Sequence, residues 1–155
     1  EAREQAEALK KEAAGQEEPY SPVDFYADYH IHYNQGTLLS FSIDTTTTMA
    51  SGYDQRYFFN LDLETGQELT LTEVIGQDKL EAADQQIRAQ IEQCLAEDPS
   101  SFFDFSEEGG YSGLKADQKF YINENRQVVV VFDEYEIAPG SSGMPEFVLN
   151  LPLLK

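Results

Sequence analysis

Residues 132–147, FDEYEIAPGSSGMPEF, crowd Asp133, Glu134 and Glu136 around Tyr135 just ahead of a Pro/Gly/Ser loop. Read as the end of the strand that QVVVV begins, this stretch puts Glu134 and Glu136 on one face, about 7 Å apart. Glycosidases use two carboxyl groups at roughly such separations, so one reading is a small hydrolase. Any acidic strand end supplies the same spacing, however, and no second catalytic motif accompanies it. The other reading is a recognition loop. Tyr135 would be its aromatic anchor, since Tyr offers a large contact area at small entropic cost. Glu134 and Glu136 would attract cationic groups, and Pro139, Ser141 and Ser142 would shape the loop. Tyr135 and Pro139 closing a sheet edge would leave the same sequence, and the residues alone hold these last two readings even.

The remaining constellations are weaker. His30 and His32 share a strand face beside Asp28, but zinc needs three or four ligands and the chain has only these two histidines. Two acidic stretches approach a calcium loop without completing it. In DLETGQELTLTE, Asp62 and Glu73 hold positions one and twelve, yet the glycine stands one place early. In DFSEEGGYSGLK, Asp104, Ser106 and Glu108 are well placed, but position twelve is Lys115. Cys94 sits on a helix with no partnered histidine, and GSSGM (140–144) is not a Gly-x-Ser-x-Gly elbow. No Gly-rich phosphate loop occurs. The expectation is no catalytic residue, no metal and no cofactor.

The chain of 155 residues is the size of one domain, and its 41% hydrophobic content can build a core. Its net charge of −19 disfavours nucleic acid and anionic lipid, whose binding needs Lys and Arg, and favours basic partners. One cysteine excludes an internal disulfide. No apolar run reaches the roughly 18 residues of a membrane span. The chain starts at Glu1, so any signal or membrane anchor is expected upstream.

Residues 1–22 predict a helix with a thin Ala2/Ala6/Leu9/Ala13 stripe, then a Pro-containing linker leading into a single domain over 23–155. Alternation predicts a hairpin from ADYHIHY and TLLSFSI, with Tyr29, Ile31 and Tyr33 on the apolar face of the first strand and Leu39, Phe41 and Ile43 on one face of the second. A second hairpin is expected from YFFNLDL, turning at Glu64–Gln67 and returning through Leu69 and Leu71. A long amphipathic helix follows at about 78–97, with Leu80, Ala83, Ile87, Ile91, Cys94 and Leu95 at helical spacing. Part of the loop at 101–118 is expected to pack under it. A third hairpin turns at Asn123–Arg126, its Val128–Phe132 run central in the sheet, and EFVLNLPLL makes a last strand. Runs of strands with one strong helix mean α+β, with a mainly antiparallel sheet built from hairpins and the shorter N-terminal helix packed on the long one.

Four stretches in this order resemble the extracytoplasmic domain of anti-sigma-V-type factors: YHIHYNQGTLLSFSI, FFNLDLETGQELTLTEVIG, the 78–97 helix, and KFYINENRQVVVVFDEYEIAPGSSGMPEFVL. Tyr-Glu-Ile-Ala-Pro-Gly-x-x-Gly at 135–143 is the most specific piece. The same module resembles the non-catalytic half of certain peptidoglycan deacetylases. MASGYDQ stands where members often carry a Gly-Gly-Ala-His motif, and Glu134 where many carry proline. The resemblance implies a non-catalytic, membrane-tethered sensing domain at a bacterial cell surface. In lysozyme-sensing relatives, lysozyme binding leads to membrane proteolysis that releases a sigma factor. The implied partner is therefore a basic protein such as lysozyme, or a cell-wall fragment. It also tips the even choice at 133–142 towards a binding lip. The alternative is a small cell-wall-active hydrolase, or an accessory domain of a peptidoglycan-modifying enzyme.

Overall fold

The computed structural model describes Glu7 and residues 24–48, 52–105, 109–115 and 117–154. They form β1 (Asp24–Gln35), β2 (Leu38–Thr48), β3 (Gly52–Asp62), β4 (Gln67–Glu68), α1 (Leu71–Ile75), a 3-10 turn (Gln77–Lys79) and α2 (Leu80–Glu97). Then come β5 (Phe120–Ile122), β6 (Val128–Val131), a second 3-10 turn (Gly140–Ser142) and β7 (Glu146–Val148). The strands make two antiparallel sheets, ordered β1-β2-β3-β4 and β5-β6-β7. The class is α+β, as the hairpin pattern predicts. Apart from Glu7, the expected helix and linker at 1–22 lie outside the described residues.

The chain divides into two compact units, Glu1–His30 with Ile43–Tyr57, and Ile31–Ser42 with Phe58–Lys155. In the first, Asp24–His30 of β1 is exposed throughout, including Phe25, Tyr26 and Tyr29. Arg56 on β3 pairs with Asp44 on β2 at 2.6 Å.

The second unit holds the core. Ala83, Ile87 and Ile91 recur every fourth residue along α2 and cluster with Leu71, Val74 and Ile75 of α1. Phe120, Ile122, Val128, Val130, Phe132, Phe147 and Leu149 belong to the same cluster. All four valines of β6 are buried, as expected for the central strand of its sheet. The Asn123–Arg126 turn forms as expected: Asn123 Oδ1 accepts the N–H groups of Asn125 and Gln127, at 3.0 and 2.9 Å.

Part of the 101–118 loop does pack on the long helix. Tyr111 is buried and donates its hydroxyl to Asp84 Oδ1 on α2 at 2.7 Å. Arg88, one turn on, binds Asp84 Oδ2 at 2.8 Å and lays its guanidinium over the Phe105 and Tyr111 rings. Burial works to raise the Asp84 pKa. The Tyr111 and Arg88 hydrogen bonds, the Arg88 charge and the Leu114 N–H outweigh it and hold this carboxyl below its ordinary value. Burial, then the bond to Asp84, pushes the Tyr111 phenol far above its usual range.

Three expectations are corrected. The second hairpin has no long return strand: β4 is two residues, and Leu71 opens α1. The cause is a capping box. Thr70 accepts the Glu73 N–H at 3.4 Å, and the Glu73 carboxylate accepts the Thr70 N–H at 2.8 Å. Gly76 at φ 95 then ends α1, in a conformation L side chains rarely adopt. The last strand is also shorter than EFVLNLPLL. β7 stops at Val148, and the glutamines of α2 take over its free side. Gln90 Nε2 donates to the Val148 carbonyl at 3.2 Å, and Gln86 Oε1 accepts the Asn150 N–H at 2.8 Å.

The third correction concerns which faces are buried. Tyr33 is buried, but Tyr29 and Ile31 are exposed. On β2 the buried face carries Leu38 and two serines, Ser40 at 0% and Ser42 at 1% exposure, while Leu39 and Phe41 are only half-buried. The reason is hydrogen bonding to β5 and between strands. Ser40 Oγ accepts the Ile122 N–H at 2.9 Å, and Asn60 Nδ2 donates to the Phe120 carbonyl at 2.9 Å. His32 lies 3.0 Å from Ser42 Oγ and stacks on Tyr121, with ring centroids 4.1 Å apart. Phe41 stacks with Phe59 at 5.0 Å on the other face.

Candidate functional site

The residues 133–145 leave the sheet as one excursion between its central strand and its edge. At the neck, the Phe132 N–H donates to the Pro145 carbonyl at 3.0 Å. Val131 pairs with Glu146 across the ladder. Ile137 and Ala138 dip back into the interior, where the Ile137 carbonyl accepts the Phe103 N–H at 3.0 Å. The excursion is thus pinned at its ends and in its middle, and two short projections remain.

The first projection is a turn at Asp133–Glu136, not the continued strand expected from the sequence. The Glu136 N–H donates to the Asp133 carbonyl at 3.0 Å, and the Asp133 N–H donates back to Glu136 Oε2 at 2.9 Å. Tyr135 takes φ 65 at the third turn position, where Gly or Asn is the usual occupant. The residue is 67% exposed. Glu134 and Glu136 consequently do not share a strand face. Glu136 is half-buried, with one carboxylate oxygen on the Asp133 amide and the other on Lys115. That bond is the main reason the Lys115 ammonium sits above its ordinary pKa. Lys119 holds Asp133 at 2.6 and 2.7 Å. Glu134 is exposed, and among the described residues no cation is paired with it.

The second projection is the 3-10 turn Gly140–Ser142, entered from Pro139. The Ser142 N–H donates to the Pro139 carbonyl at 2.9 Å, and its hydroxyl donates to the Ser101 carbonyl at 3.0 Å. Ser141 and Ser142 are exposed and Pro139 is half-buried. The two projections meet where the Tyr135 ring lies against Gly140. Beside Ser142, a groove of about 310 Å³ runs between α2 and β7, lined by Gln93, Cys94, Phe102, Pro145 and Phe147 among others.

All six sequence-chosen residues, Glu134, Tyr135, Glu136, Pro139, Ser141 and Ser142, therefore lie on this one excursion. Three partners escaped the sequence reading. Lys119 was within reach, because the β5–β6 register places it next to Phe120, which pairs with Val130, one diagonal from Asp133. Lys115 and Gly140 carried no such signal, since a loop's path decides what they meet.

Elsewhere, local structure accounts for the other candidates. His32 is engaged by Ser42 and Tyr121, as described, and His30 is exposed. Asp62, the first residue of one calcium-like stretch, accepts the Glu64 and Thr65 N–H groups at 2.9 and 3.4 Å. Glu73, its last, caps α1. The second such stretch falls partly outside the described residues. Among the described residues, no three His, Cys, Asp or Glu side chains are grouped to hold a metal ion.

Comparison with known proteins agrees with this architecture. The anti-sigma-V factor RsiV of Bacillus subtilis (strain 168) is 32% identical over 130 residues, covering 82% of this chain. The chain spans 46% of that relative's length. A crystal structure from Bacteroides fragilis NCTC 9343 superposes with a TM-score of 0.63 at 18% identity, covering 94% of this chain and 58% of its own. A second, from Pseudomonas aeruginosa PAO1, gives 0.62 at 19%, covering 94% and 65%. Both are described as members of a family of unknown function, DUF3298, and share this fold. The model of that family matches residues 70–151, more than half the chain and including the whole 133–145 excursion, so the chain belongs to the DUF3298 family.

Proposed function

We propose that this chain is a non-catalytic, extracytoplasmic sensing domain of a membrane-tethered regulator, and that the 133–145 excursion is its partner-binding lip. The observation that carries the reading is Tyr135. A bulky aromatic, two-thirds exposed, occupies a left-handed turn position that costs stability, and nothing in the core requires it there. Strained backbone clusters at functional sites, and an exposed Tyr offers contact area at small entropic cost, which supports the reading. Similarity to an anti-sigma-V factor supports placement in a regulator. The partner is a basic protein, lysozyme in the first place, or a cell-wall fragment. Glu134 supplies the charge facing it, while Asp133 and Glu136 are compensated by Lys119 and Lys115. The net charge of −19 speeds encounter with a cationic partner.

The hydrolase alternative needs two carboxyl groups turned towards a substrate. Glu136 has one oxygen on a backbone amide and the other on Lys115, which weighs against it.

The test is calorimetric titration with a basic lysozyme at low salt and at about 0.15 M, where the screening length is about 8 Å. Saturable one-to-one binding that survives the higher salt and is lost in Tyr135→Ala supports the lip. Binding that disappears with salt, or is indifferent to Tyr135, removes it.

A further inference from the structure

We propose that Gly140 is the positioning residue of the lip: lacking a side chain, it seats the Tyr135 ring so that a partner meets an aromatic face already fixed beside Glu134. This inference rests on the binding reading above. A Cβ at position 140 would come within 2.5 Å of Tyr135 Cε1, and closer still to Cζ and Oη. Real Cβ contacts essentially never fall below 3.0 Å, so the ring, the far end of its side chain, would have to shift from this place. Unlike Gly143 at φ 64, Gly140 has no left-handed backbone. The position therefore needs the absence of a side chain and not conformational freedom.

Two constraints converge on the ring. The turn at 133–136, closed by the reciprocal bonds of Asp133 and Glu136, sets the direction in which Tyr135 leaves the backbone. The 3-10 turn, held by Ser142 on Ser101, brings Gly140 beneath it. A side chain held this way loses less freedom when a partner binds, which favours affinity without adding a contact. Tyr135 as a residue remains 67% exposed, so much of it stays open to a partner.

The experiment uses four proteins: wild type, Gly140→Ala, Tyr135→Ala and the double variant. Each is melted, and each is titrated with a basic lysozyme in about 0.15 M salt, well below its melting temperature. Gly140→Ala is expected to lower the melting temperature in the wild-type background but not in Tyr135→Ala, where the ring it collides with is gone. It is also expected to weaken lysozyme binding roughly tenfold or more while the folded circular-dichroism spectrum is kept. Equal melting shifts in both backgrounds would overturn the seat. Coupled melting with undiminished lysozyme binding would overturn Gly140's part in recognition alone. A wild-type protein that does not bind lysozyme removes lysozyme as the partner, and Gly140's role in recognising it, whatever the melting shifts show.

Discussion

Replacing Tyr135 with Gly and, separately, with Ala distinguishes what the turn prefers from what the lip is for. At φ 65 an L residue carries about 1–2 kcal/mol of steric cost. Ala keeps that cost and Gly sheds it. Gly gives back about 0.4–1 kcal/mol through the greater freedom of its unfolded chain. The Gly variant should therefore be the more stable of the two by about 0.5–1 kcal/mol. Both lose the same ring. With 67% of Tyr135 exposed, about a third of a roughly 200 Å² side chain leaves contact. At about 25 cal/mol per Å² that is about 1.5–2 kcal/mol below wild type for Ala, and less for Gly. In a chain of this size the difference between the variants is about 2 °C in melting temperature. The assay is paired thermal unfolding and lysozyme titration. The expected order is wild type, Gly, Ala in stability, with binding lost in both variants. An Ala variant as stable as the Gly variant would refute the strain argument. A Gly variant that binds like wild type would refute the anchor.

Ser40→Ala should cost about 1–3 kcal/mol in urea unfolding, because it strands the buried Ile122 N–H. A loss under 0.5 kcal/mol would mean that this bond does not join β2 to β5. Thr70→Ala should cost about 1 kcal/mol by removing one half of the α1 capping box, read by the same unfolding curve. Asp84 has a depressed pKa, so its stabilising contribution is complete above the ordinary carboxylate range near pH 4 and is lost as pH falls through its own lower value. Acid unfolding of Asp84→Asn should accordingly show a smaller stability loss below about pH 4 than wild type. Parallel curves would show that the Tyr111–Asp84–Arg88 cluster is not a source of acid sensitivity.

Much of this molecule was legible because it is local. The Ala83/Ile87/Ile91 spacing declares α2, and the run from Val128 declares a central strand, since each period follows from backbone geometry alone. The turn at Asn123–Arg126 is likewise written in side chains that bond their own backbone. Even the α1 capping box lay in plain view as Thr70-x-x-Glu73, although the alternation of Leu69 and Leu71 masked it. The six residues chosen at 133–145 share one excursion for the same reason: they fall within nine positions, so where the chain leaves the sheet they leave together.

What required tertiary structure is everything decided by which segments meet. Alternation marks two faces of β2 but cannot say which is inside. Serine occupies the interior because Ile122 and His32 arrive there with hydrogen-bonding groups to satisfy. Adjacent acids at 133–136 look like one charged patch. Lys115 and Lys119, distant in sequence, come in to neutralise two of them and leave Glu134. Nor could the spacing of Tyr135 and Gly140 reveal that the ring of one rests where the other has no side chain. The sequence alone determined the long helix, the buried central strand and the stretch that leaves the sheet after it, because those depend on neighbours within a few residues. The pairing of its acids and the contact of Tyr135 with Gly140 were decided only by the fold, because they depend on contacts between segments that chain order does not specify.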